Sequence, residues 1–220
     1  MLQNAWLKVG WNMLKTWACW IRFFISFAAI AAVHPATASS SPAPFLPGGL
    51  LADAPSGFVA MCARDQTLCR PDHATGTVSS SKNRNNGLEQ LRNINRHVNR
   101  DIVQRSDWQS YGTGEHWAKP APRARATGDC EDIAMEKRAR LVASGFDPKS
   151  LFLAVTYRPR NGLHVVLVAR LEDGDYILDN LYPQVVHWYR TDYVWLRQQS
   201  TDNPKSWLTV ENMTTDTSVS

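Results

Sequence analysis

The chain has 220 residues, with 24 Lys and Arg against 20 Asp and Glu and a formal net charge of +4. Three of the basic residues (Lys8, Lys15, Arg22) and none of the acids lie in the first 38 positions, so 21 basic and 20 acidic side chains remain beyond them. That near-neutral balance excludes a basic nucleic-acid footprint, and the remaining length suits one domain with a real core.

The chain opens with a basic stretch, then an apolar run of eleven residues from Phe23 to Val33, then Ala36-Thr37-Ala38. A basic start, an apolar centre of about 7–15 residues and a small-x-small site describe a secretory signal peptide, here spanning 1–38. The alternative is an uncleaved anchor extending back to Trp17, but a spanning helix needs roughly 20 apolar residues. Cleavage predicts an exported, periplasmic protein with no stable membrane insertion. Residues 39–56, rich in Ser, Pro, Ala and Gly, read as a flexible linker. The globular domain is expected over 57–212, with a frayed tail at 213–220.

An exported chain meets an oxidising compartment, where an even pair of cysteines tends to be bridged. With Cys19 in the leader, Cys62 and Cys69 sit seven apart and can close a small loop. Cys130 is then the odd thiol. No clustered Cys/His spacing suggests a thiol-bound metal.

Residues 71–87 are polar and read as a surface loop. From Leu88, apolar positions Leu91, Val98 and Ile102, with Asn95, recur at three- and four-residue steps, predicting an amphipathic helix with Arg92, Arg96 and Arg100 on a solvated face. Residues 106–125 are broken by Gly112, Gly114, Pro120 and Pro122, with Trp108, Tyr111 and Trp117 supplying aromatic mass. A second helix is expected from Cys130 to Ala143, stopped at Gly145, with Lys137, Arg138 and Arg140 on a basic outer face. Short runs at 151–158, 164–171 and 175–181 read as strands, and 188–197 and 206–210 add one or two more. Helices followed by antiparallel strands make the fold class α+β, with helices on one side of a sheet.

The chemistry concentrates in Gly128-Asp129-Cys130-Glu131-Asp132, followed by His164 and Asp179. Cys130 falls in the first turn of its helix, where free N–H groups and the helix dipole favour a thiolate and can hold an oxyanion. The plainer reading is a buried structural cysteine. His164 starts a strand after Asn161-Gly162-Leu163 and is the candidate general base. His187 is the competing base, without an orienting acid. Asp179 would fix the imidazole tautomer, or else cap a strand end. A tight turn at Asp173-Gly174 pairs Asp179 with about Val168, roughly 13 Å short of His164, so a triad requires a bulge, a wider loop or strong twist. Asp129, Glu131 and Asp132 oppose thiolate formation and call for compensation by Arg123, Arg125 or a bound cation, and hard oxygen donors suit calcium.

Gly-Asp-Cys-Glu-Asp, a histidine opening a strand and Leu178-Asp179-Asn180 about fifteen residues later resemble the bacterial transglutaminase-like cysteine proteinases. The likeness runs from about Leu88 to Trp207 and includes Ser106-Asp107-Trp108 and His116-Trp117. It implies a papain- and transglutaminase-like fold, a periplasmic endopeptidase, and Cys130, His164 and Asp179 as a triad. In one branch of that family it further implies calcium at acids matching Asp129, Glu131 and Asp132, a large surface adhesin as substrate and an inner-membrane receptor as regulator. The resemblance also gives the bent hairpin a precedent. Two other functions share these residues: acyl transfer to an amine through the same thioester, and a non-enzymatic calcium-stabilised binding module.

Overall fold

In the computed structural model, which describes residues 43–69, 84–120 and 126–211, the chain enters as strand β1 (Gly48–Ala52) and helix α1 (Ser56–Arg64). Helix α2 (Arg84–Asp101) runs straight into a short strand, β2 (Ile102–Gln104), and helix α3 (Asp107–Tyr111) follows. Strand β3 (Ala126–Gly128) leads into helix α4 (Cys130–Ala143). The strands β4 (Leu151–Arg158), β5 (Gly162–Leu171), β6 (Gly174–Leu178), β7 (Val186–His187), β8 (Val194–Gln199) and β9 (Trp207–Val210) complete the described chain. The fold is α+β, as the order of apolar periods predicts.

Seven strands form one antiparallel sheet in the order β1-β9-β8-β4-β5-β6-β7. Both faces of its centre are covered, which explains why β4 and β5 read as continuous apolar runs rather than alternating ones. On one face Leu153, Val155, Val165 and Leu167 pack with Ala134 and Leu141 of α4 and Leu91 of α2. On the other, Phe152, Ala154, Val166 and Val168 meet Trp188, Tyr193 and Trp195. Phe58 of α1 closes the first core edge-on against Trp117 and Trp207, at ring separations of 5.8 and 5.4 Å, a favoured aromatic geometry. Cys62 and Cys69 are bridged beneath it.

Several expectations change. Within the stretch read as a flexible linker, β1 is hydrogen-bonded to β9, and Leu46 is buried with its N–H on Asp175 Oδ2 at 2.8 Å. The long-range pairing partner for this stretch lies some 160 residues away, beyond the reach of local composition. Residues 188–190 form a 3-10 turn and the strand begins only at Val194, while β6 stops at Leu178. Lys137, expected on an outer face, is fully buried. The Arg92, Arg96 and Arg100 row of α2 is solvent-facing as read. The leader, the tail, Arg123 and Arg125 lie outside the described residues. Among those residues, no helix is long and apolar enough to cross a membrane.

Candidate active site

A two-stranded parallel ladder separate from the main sheet gathers the acids. It sets Ile102 beside Ala126 and Gln104 beside Gly128. Arg105 N–H continues the ladder onto Gly128 O at 3.0 Å. Parallel strands leave in the same direction, so the residues that follow, 105–107 and 129–131, emerge side by side. Asp107 N–H then donates to Asp129 Oδ2 at 3.3 Å. Gly128 is held to a bare Cα: a Cβ there would stand 2.7 Å from Asp132 Cβ.

Cys130 opens α4 and is half-buried. Its Sγ donates to Glu131 Oε2 at 3.1 Å and accepts the Val165 N–H at 3.4 Å. That amide is free because β6 pairs with β5 only from Leu167 onward. The sulfur therefore stands where a strand partner would have been, next in sequence to His164. Burial pushes the Cys130 thiol up, the charges of Glu131 and Asp129 push the same way, and the Val165 N–H opposes them. This reverses the lowered thiol pKa expected from the helix start alone.

His164 Nε2 and Asp179 Oδ1 are 2.9 Å apart, both residues buried. No bulge is needed to bring them together. The hairpin pairs Leu171 with Gly174 and Leu167 with Leu178, without a register shift. Continued by one residue, that ladder sets Asp179 opposite Val166, two positions from His164 on the same face. Diagonal neighbours of that kind are within side-chain reach. The turn falls at Glu172-Asp173, one residue before the Asp173-Gly174 that the sequence suggests, which moves the register by two. Gly174 makes the tight turn possible: its φ is +141°, and a Cβ would lie 2.5 Å from Pro44 O.

Asp179 accepts further bonds from Leu181 N–H at 2.8 Å and from the Tyr193 hydroxyl, while Asn99 Nδ2 donates to its backbone carbonyl at 2.8 Å. Burial works against ionisation of this carboxyl, but the bonds from His164, Tyr193 and Leu181 outweigh it and hold the group below the usual carboxylate range. The Arg158 guanidinium lies over the Tyr193 ring at 5.7 Å, supporting it from outside. His187, the competing base, is stacked between Tyr176 and Tyr189 on β7, paired with the far part of β6. With Nε2 held by Asp179, Nδ1 of His164 is the nitrogen left for proton transfer.

The carboxylates that converge are Asp107, Asp129 and Glu131, each offering an oxygen within 4.8 Å of the others. Asp132 departs from the expected set: its Oδ1 accepts the Ala118 N–H at 2.8 Å and ties down the loop before Pro120. Burial and the Asp129 charge push Glu131 up to about 9, and burial pushes Asp132 to about 8 and raises Asp129. Asp129 Oδ1 is buried and has no hydrogen-bond partner among the described residues. An all-oxygen set of three converging carboxylates, whose ionised forms burial and mutual repulsion disfavour, fits a hard cation such as calcium. Asp107 escaped the sequence reading because it is 22 residues from Asp129, although it stands in the quoted Ser106-Asp107-Trp108. Tyr193, Asn99 and the Val165 amide carried no local signal.

One step beyond Val165 on the same face of the sheet, Leu163, Tyr157 and Val194 lie directly opposite one another on β5, β4 and β8. They are 63%, 41% and 45% exposed, an apolar row beside the thiol.

The family model for the bacterial transglutaminase-like cysteine proteinases matches residues 49–215. Among solved structures, calcium-bound LapG of Legionella pneumophila is similar at 26% identity over 56% of this chain and 71% of that one, with a TM-score of 0.46. A second LapG structure from the same organism gives 26% identity, 55% and 66% coverage and 0.45. EGTA-treated LapG gives 24% identity, 69% and 75% coverage and 0.45. A search among curated proteins returns no sequence match.

Proposed function

Since the chain belongs to the bacterial transglutaminase-like cysteine proteinases, we propose that it cleaves peptide bonds with Cys130 as nucleophile, His164 as general base and acid, and Asp179 as the group that orients the imidazole. The observation that carries this reading is the buried His164–Asp179 bond of 2.9 Å, one residue from the amide that contacts Cys130 Sγ. Asp179 fixes the proton on Nε2, so Nδ1 takes the thiol proton. The sulfur attacks the scissile carbonyl, and N–H groups at the start of α4 face the developing oxyanion. His164 returns the proton to the departing amine, leaving a thioester. Water, deprotonated by the same nitrogen, then releases the acid and the free thiol.

Asp107, Asp129 and Glu131 would hold a calcium ion, which supplies positive charge beside a thiol that the carboxylates otherwise keep protonated. The polypeptide substrate is read as lying along the Leu163–Tyr157–Val194 row. The basic, then apolar, then small-residue start of the sequence supports a periplasmic location, and a large surface adhesin, under an inner-membrane regulatory receptor, is the substrate implied by the sequence resemblance.

The test compares secreted and surface proteins of cells carrying wild-type enzyme, Cys130→Ala or Asp179→Asn. Cys130→Ala is expected to abolish cleavage with little change in melting temperature, and Asp179→Asn to slow it by roughly 10²- to 10⁴-fold. Undiminished cleavage by Cys130→Ala would overturn the reading. EGTA is expected to lower both the rate and the melting temperature, and an unchanged protein would remove the calcium site.

A further inference from the structure

The acid cluster is held from behind by a short strap. Residues 115–118 form neither helix nor strand, and their polar groups alternate between two neighbours, as an extended chain allows. His116 N–H donates to Asp107 Oδ2, and Ala118 N–H to Asp132 Oδ1 at 2.8 Å. Glu115 and Trp117 turn the other way, onto α1. Glu115 Oε2 accepts the Gly57 N–H at 3.1 Å and the Ser56 hydroxyl at 3.4 Å, and the Trp117 carbonyl accepts from Arg64 Nη2 at 2.7 Å.

Helix α1 grips the strap at both of its ends. Pro55, its N-cap, offers no side chain to the first-turn amides, and Glu115 supplies that acceptor with a charge the helix start favours. Arg64 stands in the last turn. Between them Gly57 lets the indole of Trp117 close in: a Cβ at Gly57 would stand 2.3 Å from Trp117 Cδ1. The Phe58 ring meets the same indole edge-on. Trp117 is buried, whereas Arg64 and Glu115 are exposed. The ring therefore anchors the strap in the core, and two surface side chains set where the backbone beside it lies.

We propose that Arg64 and Glu115 are positioning residues for the cation site, acting through the strap 115–118. This rests on the reading of Asp107, Asp129 and Glu131 as the residues that would hold calcium. Asp107 is the one the strap holds directly, and an amide bound to one carboxylate oxygen fixes the direction of the other. Asp107 donates its own N–H to Asp129 Oδ2 at 3.3 Å, so the orientation passes on to a second carboxylate. Asp132 adjoins the third, Glu131, in the first turn of α4, and the Ala118 N–H pins it from the same strap. The converging acids come from two segments that are 22 residues apart at Asp107 and Asp129. The strap touches both segments, and its outer fastening is α1, a helix that gives no carboxylate to the cluster.

The test needs no substrate. Calcium chloride is titrated calorimetrically into the full-length chain and its variants. Losing an outer-shell partner costs roughly 10- to 100-fold in metal affinity, and Glu115→Ala and Arg64→Met are each expected to raise the calcium Kd about tenfold. Both replace exposed side chains, so folded protein is expected. Arg64→Met separates positioning from plain electrostatics, because removing a positive charge would by itself tighten the hold on a cation. Glu115→Gln keeps an acceptor for the Gly57 amide without the charge, and is expected to retain most of the affinity. In calcium-free protein, hydrogen exchange at the His116 and Ala118 amides is expected to quicken in both weakened variants. An unchanged or tightened Kd in Arg64→Met, or unchanged exchange at both amides, overturns the proposal. Wild-type protein that takes up no calcium refutes the cation site itself. Wild type that binds beside variants that bind equally well refutes only the role of the strap, so the two failures are distinguishable.

Discussion

At the scale of single residues, the site is a set of side chains each held by something outside the reaction. Asp179 is the clearest case. Its carboxylate is kept ionised by neutral donors as well as by His164, and the Tyr193 hydroxyl is the most deeply placed of them. Asp179 in turn raises the Tyr193 hydroxyl, after burial, so that phenol stays a donor at any working pH. A hydrogen bond to a charged group contributes about 1.5–3 kcal/mol. Tyr193→Phe is therefore expected to slow cleavage about tenfold while the protein stays folded. Because one of the bonds holding Asp179 low is gone, its pKa climbs, and the acid limb of the pH–rate profile moves upward. A profile that falls in height without moving would mean that the hydroxyl acts on packing alone.

At the scale of elements, the decisive piece is the small parallel ladder of β2 and β3. It carries few bonds, yet it fixes where α4 begins and which acids meet. Gly128 is its last residue, and a methyl group there would push against Asp132 at the first turn of α4. Overpacking of this kind costs typically 1–3 kcal/mol. Gly128→Ala is expected to lower the melting temperature by several degrees and to cut cleavage more than that loss explains. A thermal melt and a rate on the same sample check this.

This element was also the hardest to read in the sequence. The span of α4 and the strands β4 and β5 were legible because their apolar periods are local and strong. Cys130 and His164 were legible because each stands at an element boundary marked by Gly128 or Gly162. Asp107 was not, since its relation to Asp129 exists only through a parallel pairing across more than twenty residues. Lys137 misled for another reason. Periodicity assigns a lysine to the wet face by type, whereas this one is fully buried. The His164–Asp179 pairing is legible by residue type, but its geometry is not, because a one-residue difference in where the hairpin turns moves the register by two.

At the scale of the whole molecule, the buried acids set how stability follows pH. Glu131 and Asp132 have folded-state values of about 9 and 8, well above those of an unfolded chain. Between about pH 5 and 7 the folded protein holds protons that the unfolded chain releases, so stability falls as pH rises, by up to about 1.4 kcal/mol per unit for each group. Above 7 Lys137 contributes the opposite sign, because its lowered value means the folded state binds fewer protons than the unfolded one. The melting temperature in EGTA is expected to decline from pH 5 to 7, and millimolar calcium chloride to flatten that decline. A melting temperature that rises over this window in EGTA would contradict the burial of these carboxylates.

The parting of β6 from β5 has one more consequence, for observation rather than for chemistry. It leaves a single backbone proton, that of Val165, bound to the sulfur of Cys130 and to no other strand. Most amides in the middle of the sheet are locked to a neighbouring carbonyl and blind to the site. This one is a built-in spectroscopic reporter, whose resonance and exchange rate register each change of state at the thiol from inside the fold.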